Sequence, residues 1–399
     1  MTMLEQIPAG IETTDDAPST LRVEVITDED RWSDVEADWR ALFRSSPTAS
    51  TVLRWEWLTS WWRNYGSTYG PDAGGLRIVA LWMRDTLVGA LPLYLRSAGT
   101  SASRDLMFLS TGEAEYEETC ADYMDLLYEP AYERSCVDAV GTAFTSDILG
   151  TWDECSLIGM RSGSALANLS ERLSSCGLKV TLGEPADTVY SDLSGGYDHY
   201  LEQLSSGFRK QERRMMRQIE QQGIAFDIPT EVGEADRALD DLILLHERRW
   251  GAKQKSGAFS SERFRTFHRD LVSNLVPQGL ASVGRMSIDD KPIAVIYGFT
   301  CGTEFDFYQC GVDLEPEVKL DSPGIAVNLL LMKYLANKGI KKYDFLKGAS
   351  WYKERLATGR DQITSLHIAK PSIKWVYREA LKGVKRAAAQ VRNRSIPGR

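Results

Sequence analysis

One supersecondary pattern occurs twice in this chain and limits the available folds more than any other feature. An apolar strand led by Gly75-Leu76, LRIVALWM, runs into a turn containing Asp85 and returns as LVGALPLYL. Later, Gly279-Leu280 leads LASVGRMS into Asp289-Asp290 and back through PIAVIYGFT. Two segments with helical apolar spacing precede each hairpin, at 30–44 and 54–65 and again at 235–250 and 260–276. This alternation predicts an α/β chain holding two copies of one unit; the alternative is a pair of unrelated α/β domains.

The other periodic segments extend the same order. Strands are predicted at 22–27, 105–109, 122–128 and 153–158, with a helix at 132–147, in the first part. In the second, strands at 304–310 and 341–346 flank a helix from Ser322 to about Asn337, and Tyr197 to Gln222 reads as one long helix joining the parts. A length of 399 residues with 43% hydrophobic content is enough to bury two cores. The expected organisation is a disordered tail at 1–20, an N-terminal half at 21–195, a C-terminal half at 196–370 and a basic tail or helix at 371–399.

The strongest local chemistry lies in EFDFYQCGVDLEPEVKLDSPGIAVNLLLMKYLANKGIKKYDFLKG, a strand, loop, helix and strand. Ser322 can cap the helix, Pro323 fits its first turn, and Gly324 removes a side chain where a ligand would approach the backbone. A helix start of this kind offers free N–H groups and a positive dipole end, so residues Ser322, Pro323, Gly324, Ile325 and Ala326 can receive a pyrophosphate. An ordinary capped helix with no ligand is the competing reading.

These residues resemble the GNAT acyltransferase superfamily, whose pyrophosphate loop reads Arg/Gln-x-x-Gly-x-Gly/Ala. Here the run is Asp321-Ser322-Pro323-Gly324-Ile325-Ala326, with an acidic residue where the family has Arg or Gln. LHERRW (245–250), FRTFHRDL (264–271), PIAVIYGF (292–299), the SPG helix start, YDFLKG (343–348) and the pair Tyr352-Lys353 together resemble the CelD-like, Fem-related branch, across about 22–370. The resemblance implies two tandem GNAT-like halves, each a mixed, mostly antiparallel sheet flanked by helices. It also implies acetyl-CoA or another acyl-CoA as co-substrate, and an N- or O-acyltransferase linked to cellulose, exopolysaccharide or cell-envelope production. The acceptor would be a small molecule or glycan-linked. The first half lacks a glycine at its corresponding helix start, YEPAYERSCV, so a single donor site is expected, with the first half given to acceptor binding.

Acyl transfer from a thioester needs a polarised carbonyl, a protonated leaving thiolate and a deprotonated acceptor. By the resemblance, backbone N–H groups of Phe307, Tyr308, Gln309 and Cys310 polarise the carbonyl, and Tyr352 is the general acid beside the donor sulfur, unless it is simply a packed aromatic. Asp306 and Tyr308 alternate with Phe305 and Phe307, so they share the opposite strand face and are candidates for the base. Asp344 and the pair His246-Glu247 are the other candidates, and solvent could also take the proton. His246, Trp250 and Asp122 are assigned to substrate binding, Lys353 to the cofactor.

On a helix Lys210, Arg213, Arg214 and Arg217 share a face that could meet a phosphate or RNA, Arg213 being the candidate substrate contact; a solvated face is the plainer reading. A Fem-type transferase using aminoacyl-tRNA, and a decayed GNAT that only binds a partner, are the alternatives. The Trp-rich LRWEWLTSWW is read as core. The basic segment beyond Lys370 could touch an anionic membrane. A net charge of −9 argues against nucleic-acid attraction by the whole surface. The opening residues lack a secretion signal and no apolar run spans a membrane, so a cytoplasmic location is expected. Six scattered cysteines without CxxC or CxxH spacing are expected to be reduced thiols, with no metal site.

Overall fold

A computed structural model describes residues 20–70, 75–97, 104–251, 257–315, 318–348 and 350–371. The tails expected at 1–20 and 371–399 lie outside these residues except at their inner ends. The strands are β1 (Arg22–Ile26), β2 (Ile78–Met83), β3 (Thr86–Leu91), β4 (Leu93–Ser97), β5 (Arg104–Phe108), β6 (Leu127–Tyr128), β7 (Glu154–Arg161), β8 (Lys179–Leu182), β9 (Ala186–Asp192), β10 (Ala225–Asp227), β11 (Ala281–Ile288), β12 (Lys291–Cys301), β13 (Glu304–Val312), β14 (Lys342–Lys347) and β15 (Gly359–Ala369). The helices are α1 (Glu29–Asp34), α2 (Glu36–Ser45), α3 (Trp55–Tyr69), α4 (Glu133–Thr145), α5 (Leu169–Ser175), α6 (Gly196–Gln203), α7 (Ser206–Gln221), α8 (Val232–Gly251), α9 (Glu262–Leu275), α10 (Pro323–Asn337) and α11 (Trp351–Leu356).

The protein is a mixed α/β structure with helices flanking two sheets, the small one antiparallel and the large one mixed. A small sheet runs β1-β2-β3-β6, and a large one runs β10-β11-β12-β13-β14-β9-β15-β7-β5-β4, with β8 also on β15. Both predicted hairpins form, as β2–β3 and β11–β12. In the first, Pro92 ends the small-sheet strand, and the chain continues as β4 in the large sheet; proline has no N–H to give to a ladder. Among the described strand pairs only β5–β7 and β13–β14 are parallel. A parallel pair needs a crossover, and here α4 and α10 supply them. The sheet is continuous across the sequence midpoint, because β9 lies between β14 and β15, and β15 pairs with β7.

Side chains alternate across β12: Val295, Tyr297 and Phe299 enter one core cluster with α3, α8 and α9, while Ala294 and Ile296 enter the other with α10. The tryptophan-rich segment is core, with Trp57 and Trp61 buried and Trp61 stacked on Tyr65.

Three expectations are corrected. The joining helix is broken into α6 and α7, because Leu204 is extended and Ser205 starts a new helix, its side chain accepting from Phe208 N–H. The strand expected at 122–128 shrinks to Leu127–Tyr128; Tyr123 takes φ +72, outside the extended region a regular strand needs. Ser322 precedes α10 at φ +52 and makes no side-chain cap bond. All six cysteines are free thiols.

Candidate active site

β13 and β14 are in register at Glu304–Lys342, Phe305–Tyr343 and Asp306–Asp344, and their pairing ends there. β13 continues to Val312 against β12 on its other edge. β14 turns away: Leu346 is at φ +56, its N–H bonded by Asp344 Oδ1 at 2.8 Å, and its pairing with β9 is bulged between Asp344 and Lys347. Past the last rung, Lys353 Nζ donates to the carbonyls of Phe345 at 2.7 Å and Lys347 at 3.3 Å, so the part-buried Phe345 carbonyl keeps a partner. Burial holds the Lys353 ammonium below its usual pKa.

The parted strands border a cleft of about 570 Å³. Gln309, Cys310 and Val312 of β13 form one wall, and the tip of α10, from Ser322 to Ile325, forms another. Tyr352 and Lys353 of α11 and His246 and Trp250 of α8 complete it. At the tip the first closed bonds are Ile325 and Ala326 N–H to the Ser322 carbonyl, and the Gly324 N–H has no partner among the described residues. A Cβ at Gly324 would stand 3.3 Å from Val312 Cγ2, so glycine lets the tip approach β13.

The acidic first position of the loop is neutralised. Asp321 pairs with Arg214 of α7, and its N–H donates to Gln218 Oε1 at 3.1 Å. Gln222 grips Lys319 twice, donating to its carbonyl at 2.8 Å and accepting its N–H at 2.9 Å. One helix therefore holds the approach to α10 while cancelling the charge that would repel a diphosphate. Arg249, exposed at the cleft mouth, adds a cation there.

The remaining expected residues divide between the cleft and other places. Burial and nearby Cys310 push the Tyr352 phenol up to about 12, so it holds its proton at neutral pH. Burial likewise pushes the Cys310 thiol up to about 12, and the Cys310 N–H is met by Gln309 Oε1 at 3.2 Å. Phe307 packs in the core edge-on to Tyr352, and Ala326 is buried behind the tip. His246 accepts from Trp250 Nε1 at 2.9 Å through Nε2; burial holds its pKa near 4, so the neutral ring carries its proton on Nδ1. Glu247 points away, exposed and paired with Arg265 at 3.6 Å, and Arg213 is exposed on α7; neither lines the cleft.

Asp306, Tyr308 and Asp344 lie on the far side of the sheet from the phenylalanines. Tyr308 donates to the Thr119 carbonyl at 2.9 Å and so accepts from His268 Nε2 at 3.1 Å. Asp344, fully buried, accepts from Tyr123 OH at 3.0 Å and the Leu346 N–H, and pairs with Lys342 at 3.0 Å. Asp306 accepts from Thr51 Oγ1 at 2.6 Å, and burial with the neighbouring Asp344 charge pushes it up to about 7. Asp122 accepts the Lys347 N–H at 2.8 Å, at the edge of the same strand end.

Residues that the sequence reading passed over also shape the site. Asn328 donates to the Gly324 carbonyl at 2.7 Å and accepts from Tyr343 OH at 2.9 Å; the signal was an amide within the apolar run 324–332. Trp351, 63% exposed, and Leu314, 59% exposed, put apolar surface on the rim. Among the described residues no group of three or more His, Cys, Asp or Glu side chains could hold a metal ion.

Residues 206–354, which contain both parted strands, α10 and Tyr352, match the family model described as Acetyltransferase (GNAT) domain. No curated protein matches the chain. Among solved structures, FemX aligns at 10% identity and a TM-score of 0.57, covering 86% of this chain and 96% of that one. L-PGS from Bacillus licheniformis aligns at 10% identity and a TM-score of 0.45, covering 83% and 96%. A tandem GNAT protein from the clavulanic acid biosynthesis pathway aligns at 11% identity and 0.44, covering 88% and 100%. The fold is of the GNAT and Fem type, and the matched domain supports a transferase.

Proposed function

We propose that this protein transfers an acyl group from acyl-CoA to a nitrogen or oxygen acceptor. The observation that carries the reading is the end of the β13–β14 ladder at Asp306–Asp344, which leaves a cleft between open strand edges and the bare tip of α10. The residues fit such a donor. Its diphosphate would meet the Gly324 N–H and the positive end of α10, with Asp321 already paired, and its thioester arm would lie between the strands. Tyr352, protonated at neutral pH, would give its proton to the departing thiolate.

On the other side of the sheet, Thr51, Thr119 and Tyr123, all N-terminal to β9, engage Asp306, Tyr308 and Asp344, and we assign that half to the acceptor. The CelD-like placement, and with it a role in polysaccharide or envelope synthesis, rests on the sequence motifs.

Calorimetric titration with acetyl-CoA tests the donor. Binding should be saturable and should disappear in Gly324→Trp, whose ring would occupy the space between the tip and Val312. Absence of heat at millimolar ligand, with thermal unfolding unchanged, would sink the reading.

A further inference from the structure

Next to the donor cleft is a second cavity of about 340 Å³, and Gly348 lines both. Its walls come chiefly from the chain between β5 and α4, with Ser110, Glu113, Glu118 and Asp122, and from Gly159 of β7. That chain follows an unusual path. Ser110, Cys120 and Tyr123 all hold left-handed backbone, at φ +69, +49 and +72. Gly159, at φ +77, could carry no Cβ, which would lie 2.9 Å from the Ala121 carbonyl oxygen. Left-handed backbone at three non-glycine residues is unfavourable and persists only where surrounding structure enforces it; such residues gather at functional sites.

We propose that this second cavity binds the acyl acceptor, that the acceptor is a cationic primary amine, and that Asp122 takes its proton; this rests on the acyltransferase reading above. Three carboxylates, Glu113, Glu118 and Asp122, line the cavity against one cation, Lys347. Glu113 points to a missing ligand. Its Oε1 accepts from Trp61 Nε1 and from Thr119 Oγ1 at 2.6 Å, while its buried Oε2 has no hydrogen-bond partner among the described residues. Burial raises the Glu113 carboxyl above its usual range, so a bare Oε2 is costly, and an ammonium N–H would satisfy it and favour the ionised form. Asp122 lines the second cavity and is held by the N–H of Lys347 at 2.8 Å, one residue before the Gly348 that lines both. Burial raises it to about 6, with Asp344 raising and Lys347 and Lys353 lowering, so it is ionised at neutral pH yet basic enough to accept a proton.

The chemistry balances. The ammonium gives one proton to Asp122, and the free amine attacks the thioester carbonyl. As the C–N bond forms and the C–S bond breaks, the thiolate takes the Tyr352 proton. The second nitrogen proton leaves through solvent and restores the tyrosine. The products are an amide, a thiol and one released proton. A hydroxyl acceptor brings no positive charge to pair with these carboxylates.

Two measurements on the full chain test this. In the first, without donor, ethanolamine, glucosamine and spermidine are titrated against their neutral counterparts ethylene glycol and glucose. The amines should bind and the neutral compounds should not, with Glu113→Gln and Asp122→Asn weakening amine binding about tenfold. Equal binding of amines and glycols, or unaltered binding in both isosteric variants, overturns the proposal. In the second, thiol release from acetyl-CoA is followed with the same amines. Asp122→Asn should lower kcat about 100-fold with the acetyl-CoA KM unchanged, and should abolish the rise in rate through about pH 6, whereas Glu113→Gln should chiefly raise the amine KM. Wild-type turnover by Asp122→Asn overturns its role as base. Amine binding without any acetyl-CoA binding overturns the donor reading and the catalytic role with it, while supporting the amine pocket.

Discussion

Asp306 and Asp344 are the last registered partners of the β13–β14 ladder, and the protein treats them oppositely. Asp344 takes a phenol, a backbone N–H and a lysine, whereas Asp306 has Thr51 and lies beside the Asp344 charge, so its proton is held up to about pH 7. An unfolded aspartate ionises near pH 3.8. Between those values the folded state binds the extra proton, so Asp306 makes stability fall as pH rises from about 4 through 7. Asp306→Asn should remove that part of the slope, worth at most about 4 kcal/mol, and gain most above pH 7. Thermal unfolding of both proteins from pH 5 to 8 measures it; parallel curves would show that Asp306 is not titrating there.

The Arg214–Asp321 pair makes a second prediction. Arg214→Ala should leave Asp321 uncompensated beside the α10 tip and weaken acetyl-CoA binding several-fold, more at low salt than at high. Adding Asp321→Asn should restore affinity. Calorimetry at two ionic strengths checks both, and a double variant no better than the single would remove the charge explanation.

What could be read from the chain followed the range of its interactions. The hairpins, α10 and β13 are specified by local alternation and by Pro323-Gly324, and they form nearly where expected. The course of residues 109–123 was hidden because its left-handed turns fall on Ser110, Cys120 and Tyr123, types that do not announce them as glycine does. The surroundings of Asp344 were equally hidden, since Tyr123 lies 221 residues away in sequence. Asp306 and Tyr308 do share a face, but alternation could not show that Thr51, Thr119 and His268 already engage them. The arginine that answers Asp321 sits on α7, far from the motif in sequence, so the motif alone shows an acidic position without its partner.

Lys353 serves the Phe345 and Lys347 carbonyls on the stretch of β14 beyond its last rung with β13. Lys353→Met preserves the stem and removes the donor. Leaving a buried carbonyl unpaired costs about 1–3 kcal/mol, so chemical denaturation should show a loss of that order. Acetyl-CoA affinity should fall as well, because the cleft wall loses its tie; a variant as stable as wild type would mean that water replaces the ammonium.

Tyr352 is the sharpest test of the chemistry. With its phenol raised to about 12 it remains an acid across the ordinary working range, so wild-type kcat should show no loss of a general acid up to about pH 9. Tyr352→Phe removes only the hydroxyl, in a ring that also packs edge-on to Phe307 and lines the cleft. If the hydroxyl protonates the leaving thiolate, kcat should drop about 100-fold while the KM for acetyl-CoA stays nearly constant. A transfer to a donor with a more acidic leaving thiol, such as an aryl thioester, needs less protonation and should lose correspondingly less. If both donors instead lose equally, or neither loses, Tyr352 is a wall of the cleft and the proton comes from solvent.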